Sequence, residues 1–198
     1  MTKLFVGFNF TPEGLLSRKV TGFRKRFDPK YNQYGFPHMA MLAPFEIHDN
    51  DVLDLTETLK EELDSFFYDN KTMPRLDFAG IGVYEHNKKK LLYLNPNFDI
   101  DLGYCSEVVL EICKSFIPKT IRYKENARQF LPLGIFYNMK DMFEVMEHAK
   151  VEFENNSPLP IESISLYEKK FGIWVEKEVL VSFEENETHF LQMNHATL

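Results

Sequence analysis

Residues able to move a proton or grip a phosphate are sparse in this chain, and His38 holds the most suggestive position among them. It lies in the apolar run Phe36-Pro37-His38-Met39-Ala40-Met41-Leu42-Ala43-Pro44-Phe45. Imidazole titrates near neutrality, so a histidine on a strand is a candidate general acid or base. A second apolar run, Arg128-Gln129-Phe130-Leu131-Pro132-Leu133-Gly134-Ile135-Phe136, follows about ninety positions later without a histidine. Gln129 can hydrogen-bond a phosphate but cannot shuttle a proton. Arg128 beside it can hold one as a two-pronged fork. Tyr84 and Tyr167 end predicted strands where a cleft would open. His38 is thus the catalytic candidate, with Gln129, Arg128, Tyr84 and Tyr167 as substrate-binding candidates.

The elements that must position them punctuate the chain clearly. Leu4 to Phe10 reads as a strand, and Thr11-Pro12-Glu13 as the start of a helix carrying Leu15, Leu16, Val20 and Phe23 inward. Phe36 to Ala43 is the next strand. Leu55, Leu59, Leu63 and Phe66 recur at helical spacing. Leu76 to Tyr84 and Leu91 to Leu94 predict a hairpin across residues 86–90. A third helix shows Leu102, Cys105, Val109, Ile112, Cys113 and Phe116 before Pro118. Gln129 to Phe136 is a strand. A fourth helix shows Met142, Phe143, Met146, Ala149 and Phe153. Ile161 to Tyr167 and Ile173 to Phe183 form a closing hairpin, and 184–198 is read as a C-terminal tail. The order β-α-β-α-β-β-α-β-α-β-β repeats one plan in two halves and contains no glycine-rich phosphate loop.

Composition narrows the classes. A chain of 198 residues with 44% hydrophobic and 27% charged residues is globular in character. Its net charge of -7 argues against wholesale binding of double-stranded nucleic acid. No apolar run approaches the roughly 20 residues of a membrane span, and the N-terminus lacks signal-peptide character. Cys105 and Cys113 stand about 12 Å apart along a helix axis, too far for a disulfide. They read as core thiols of a reducing compartment, and the expected location is cytoplasmic. Glu144 and His148, four apart on a helix, make one edge of a metal site without further ligands, so no metal is expected. The basic residues Arg18, Lys19, Arg24, Lys25, Arg26 and Lys30, with Lys88-Lys89-Lys90, are either solvated faces or an electrostatic guide for an RNA end. Tyr31, Tyr34 and Phe36 are either packing residues or base-stacking ones.

Several of these segments together resemble a known family. The opening Leu4-Phe5-Val6-Gly7-Phe8 with Thr11-Pro12-Glu13, the place of His38, the Leu133-Gly134 step and the strand Ile164-Ser165-Leu166 are similar to the 2H phosphoesterase superfamily, also called LigT-like or 2′-5′ RNA ligase-like. The resemblance runs over about residues 3–183 as a pattern of elements. It implies an α+β, LigT-like two-lobed fold, with two antiparallel sheets facing across a central cleft and helices outside. It also implies one bilobal domain over 1–183. Members carry two His-x-Thr/Ser motifs, one per lobe, whose imidazoles and hydroxyls surround one phosphate. They open 2′,3′-cyclic phosphates, cleave 2′,5′ linkages or run the reverse ligation.

This chain keeps His38 but has Ala40 at the first hydroxyl position. In the second motif, one register places Phe130 and Pro132 at the two functional positions, and another places Gln129 and Leu131 there. Neither supplies an imidazole or a hydroxyl. Loss of one general acid or base costs roughly 10²–10⁴ in rate. The expectation is therefore a degenerate 2H phosphoesterase-like protein, a pseudoenzyme that binds a nucleotide, RNA end or other phosphorylated ligand without a cofactor. An active atypical 2′,3′-cyclic phosphodiesterase using His38, or an interaction module on the same scaffold, are the alternatives. The oligomeric state is not legible in the sequence.

Overall fold

The computed structural model describes residues 1–28, 38–68, 73–86, 88–98, 100–121, 123 and 129–184, with the side chains of His38, His86 and Ile100 outside that description. Strand β1 spans Thr2–Phe10, followed by α1 (Leu15–Phe27), β2 (His38–Ala40), β3 (Phe45–Ile47), a 3-10 turn at Asp49–Asp51 and α2 (Val52–Phe66). Then come β4 (Arg75–His86), β5 (Lys89–Asn97), α3 (Ile100–Phe116), β6 (Leu131–Phe136), α4 (Met139–Glu152), β7 (Leu159–Lys170) and β8 (Ile173–Ser182). The fold is α+β, with four α-helices and antiparallel pairing throughout the sheet among the described residues.

The predicted order of elements holds, with three local departures. Within the strand expected over Phe36 to Ala43, β2 covers only His38–Ala40 before the chain bends at residues 41–42, and β3 follows beyond that span at Phe45–Ile47. Both pieces pair with β1. Helix α1 starts at Leu15 and not at Thr11-Pro12-Glu13, because residues 11–14 close a turn in which the Gly14 N–H donates to the Thr11 carbonyl at 3.1 Å. That shift turns Leu15 outward, whereas Leu16, Val20 and Phe23 are buried as expected. On α4, Phe143 is exposed and Val145 takes the inward position instead. The expected tail, apart from Glu184, lies outside the described residues.

Sheet order is β2-β1-β7-β4-β5-β6, with β3 continuing the pairing of β1 and β8 flanking β7. The expected two sheets are thus two halves of one path. The link between them is narrow: β4 meets β7 only at Arg75↔Pro160 and Leu76↔Leu159. The far ends of this path also meet. The Gln129 side-chain N–H, just before β6, donates to the Met41 carbonyl just after β2 at 2.6 Å. Nearby, the Tyr123 hydroxyl donates to the Ala43 carbonyl at 3.3 Å, and the Tyr123 and Phe45 rings meet edge-on. A sheet whose first and last strands touch must curl, and this curl brings the two motif strands together.

Strand alternation then sorts side chains between two faces. Leu4, Val6, Phe8 and Phe10 of β1, with Ile164 and Leu166 of β7, join Leu55, Leu59 and Leu63 of α2 in the core. The second half buries Leu92, Leu94, Leu131 and Leu133 with Met142 and Ala149 of α4 in the same cluster. Phe5, Gly7 and Asn9 lie on the other face of β1, opposite Tyr167, Ser165 and Ser163.

Candidate functional site

The register of β1 assembles the polar part of the site. Asn9 pairs with His38 of β2 on one side and with Ser163 of β7 on the other. Gly7 does the same between Ala40 and Ser165, and Tyr167 in turn pairs with Glu176 of β8. The Asn9 amide nitrogen lies 3.0 Å from the Ser163 hydroxyl, 2.8 Å from that of Ser165 and 2.8 Å from Glu176 Oε1. An amide has two N–H groups, so three acceptors share them, and both serines keep hydroxyl protons to donate. The Tyr167 hydroxyl donates to Asn9 Oδ1, which completes the network.

Its electrostatics follow from burial. Ser165 is fully buried and Ser163 nearly so, while Glu176 stands at the exposed rim. Burial, reinforced by the Glu176 carboxylate, pushes the Tyr167 hydroxyl up to about 12. Tyr167 is therefore a neutral donor across the physiological range. Its ring stacks on Phe5 at 4.6 Å with a 4° interplanar angle, and Trp174 meets Phe5 edge-on at 4.8 Å.

Across the curl, the second half presents rings and amides. Tyr93 of β5 packs against Phe130 at 5.0 Å, and Tyr84 of β4 lies 6.3 Å from the same ring. A groove of about 330 Å³ runs beside them, lined by Tyr93, Asn95, Pro96, Phe98 and Gln129. Phe98 also leans on Phe8 of β1 at 6.2 Å, tying the halves together.

The structure thus brings Gln129 and Tyr84 to one wall, linked through Phe130, and puts Tyr167 in the network beside the position of His38. Arg128, with Tyr31, Tyr34, Phe36, Lys30, Arg122, His189 and His195, lies outside the described residues. Asn9, Ser163, Ser165 and Glu176 were missed. The signal for two of them was present: Ser163 and Ser165 alternate with apolar Ile164 and Leu166 and lead to Tyr167 at every second position of β7. Whichever way the second motif is aligned, β6 offers neither imidazole nor hydroxyl. Setting Pro132 against Pro37, for example, puts fully buried Leu133 in the histidine's place.

Other features turn out to be structural. Arg24 forms a buried pair with Asp28 at 3.9 Å. Arg26 binds the Glu152 carboxylate of α4 at 2.5 Å and lies over the Phe27 ring, and Lys90 is buried against Glu85 at 3.1 Å. The basic residues read from the sequence as an electrostatic guide are in part used this way. At the Leu133-Gly134 step a Cβ on Gly134 would press on the Phe136 ring at 3.1 Å and touch the Asp28 Cβ at 3.4 Å, so β6 runs close beside the end of α1. His148 stacks on Phe27 at 5.2 Å, and among the described residues no group of three or more His, Cys, Asp or Glu could hold a metal ion.

Comparison with known proteins puts these observations in a family context. No family model matches the chain. A stretch of 61 residues is 31% identical to "Putative phosphoesterase SH1944" of Staphylococcus haemolyticus, covering 31% of this chain and 36% of that protein. The fold is similar to the structure of Kluyveromyces marxianus Usb1 with uridine monophosphate, with a TM-score of 0.51 at 10% identity over 88% of this chain and 96% of the other. Both findings support the resemblance drawn from the motifs. The chain has a 2H phosphoesterase-like fold. β2 and β6, the strands of the two apolar runs singled out in the sequence, approach each other through the Gln129–Met41 bond. No helix among the described residues is long and apolar enough to cross a membrane.

Proposed function

We propose that this 2H-like protein binds a nucleotide or an RNA end in the cleft between its halves, with little or no catalysis of the family's kind. One observation carries the reading. The polar network of Asn9, Ser163, Ser165, Tyr167 and Glu176 is built beside the register position of His38, while the facing strand β6 has only Leu131, Pro132, Leu133, Gly134, Ile135 and Phe136 to offer. One side of the cleft is equipped to hold a polar ligand. Strand β6 itself supplies no group to complete a two-sided proton transfer, because general acid–base chemistry at phosphorus needs one group to take a proton and another to give one. The Usb1 structure holding uridine monophosphate supports a nucleotide as the occupant.

In this reading His38 donates to phosphate or sugar oxygens, while the buried serine hydroxyls and neutral Tyr167 fix the Asn9 amide beside it. The test incubates the protein with 2′,3′-cyclic uridine monophosphate and a 2′,5′-linked diuridylate, while calorimetry follows binding of uridine monophosphate. The expected result is saturable binding, weakened in His38→Ala, with no product beyond the buffer control. Turnover that disappears in His38→Ala would overturn it in favour of an active atypical phosphodiesterase. Absence of both binding and turnover would leave an interaction module.

A further inference from the structure

We propose that the tip of the β7–β8 hairpin docks on an anionic lipid surface. Lys170 pairs with Ile173 across the tip, so Phe171 and Gly172 are the two residues of the turn. Both have left-handed backbone, with φ of 51° and 85°. A two-residue turn of this kind suits the twist of a hairpin and favours Asn-Gly, because a bulky side chain is strained at its first position. Phe171 occupies that position and is 104% exposed, so its ring packs against nothing that would offset the strain. The fold gains nothing from this aromatic. A strained residue without internal benefit points to an external partner.

The surroundings of the ring select the partner. Ile173 is 56% exposed and Val175 is exposed as well, which extends the apolar surface along β8. Lys169 and Lys170 lead into the turn, both exposed, and residues 169–175 contain no carboxylate. The nearest acid, Glu168, is held by Lys170 at 3.3 Å and by Lys177 at 3.1 Å. Lys169 lies over the Trp174 ring at 5.8 Å. Aromatic and branched apolar groups beside cations match the boundary between acyl chains and headgroups, where rings settle and lysines meet anionic lipid. The pairing of β1 with β7 ends at Glu168, and at about 3.3 Å per residue Phe171 stands roughly 10 Å beyond it. That distance exceeds the Debye length of about 8 Å in physiological salt. A surface met by the tip is therefore largely screened from the chain's net charge of -7.

Trp174, the chain's single tryptophan, reports contact at the tip without a label. Vesicles of phosphatidylcholine with phosphatidylserine are titrated into the intact chain while its fluorescence is followed, and co-sedimentation measures the bound fraction. The expected result is a blue shift with saturable binding to the mixed vesicles, weaker on phosphatidylcholine alone and reduced by high salt. Lys169→Gln combined with Lys170→Gln should weaken binding about ten-fold or more, at about fivefold for each lysine. Phe171→Asn relieves the turn, so Tm should stay the same or rise while vesicle binding falls about ten-fold. A merely structural ring would not separate those two readouts. Absence of binding to the mixed vesicles, or binding undiminished in Phe171→Asn, would overturn the proposal. So would a dimer in sedimentation velocity that Phe171→Asn dissolves, since the ring would then be covered by a second copy of the chain.

Discussion

At the scale of single residues, the site is governed by one amide. Asn9 is the common partner of two serines, a tyrosine and a glutamate, and Tyr167 titrates late because it is buried and faces Glu176. Removing the charge in Glu176→Gln should therefore bring the Tyr167 hydroxyl down from about 12 toward the usual 10, read from the tyrosine Cζ carbon shift during a pH titration. The stability consequence has a definite sign. The folded state holds this proton more tightly than the unfolded chain, so the contribution is intact below about pH 10 and is lost as pH rises from 10 to about 12. Tyr167→Phe should remove that alkaline loss. Residue-level reading named His38, Gln129, Tyr84 and Tyr167 as candidates and did not single out Asn9. Its importance comes from pairing with strands that lie far from it in sequence.

At the scale of elements, periodicity was the dependable guide. Helix α3 buries Leu102, Cys105, Val109 and Cys113 on one stripe, as its spacing predicts. Burial pushes the Cys105 thiol up to about 12 and raises Cys113 as well. Both should resist an aromatic disulfide reagent at pH 8 in the native protein and react fully in guanidinium, a difference visible in the released thiolate absorbance. Where prediction slipped, a local competitor won: the turn at 11–14 displaced the start of α1, and the bend at 41–42 ended β2 early. The two motif strands were recognisable by their apolar runs. Their mutual register was not, because β2 and β6 are not hydrogen-bonded neighbours and meet only through the curl of the sheet.

At the scale of the whole molecule, the halves share one core, and their strands are joined by two residue pairs at one end and approach through the Gln129–Met41 bond at the other. A neutral, partly buried hydrogen bond is worth about 0.5–1.5 kcal/mol. For a chain of this length that corresponds to roughly 1–6 °C in Tm. Gln129→Ala should show a loss in that range by calorimetry, and amide exchange should quicken in β2 and β6 ahead of β1 and β7. Uniform acceleration throughout the sheet would argue against a clasp between the ends. The α+β class and the two-half plan were legible from the order of elements. The continuity of the sheet was not, since it depends on the two pairs joining β4 to β7.

The position of β1 between β2 and β7 has a further consequence for how the chain is made. Strands β4, β5 and β6 are contiguous in sequence, whereas β1 finds its β7 partner about 156 residues later. Domains assemble from the N-terminus as the ribosome delivers them, and contacts between distant segments form slowly. The inserted half therefore has all its strands at hand while β1, already paired with β2 and β3, still lacks its second neighbour. The cleft becomes complete only when the closing hairpin emerges and fills that vacant edge.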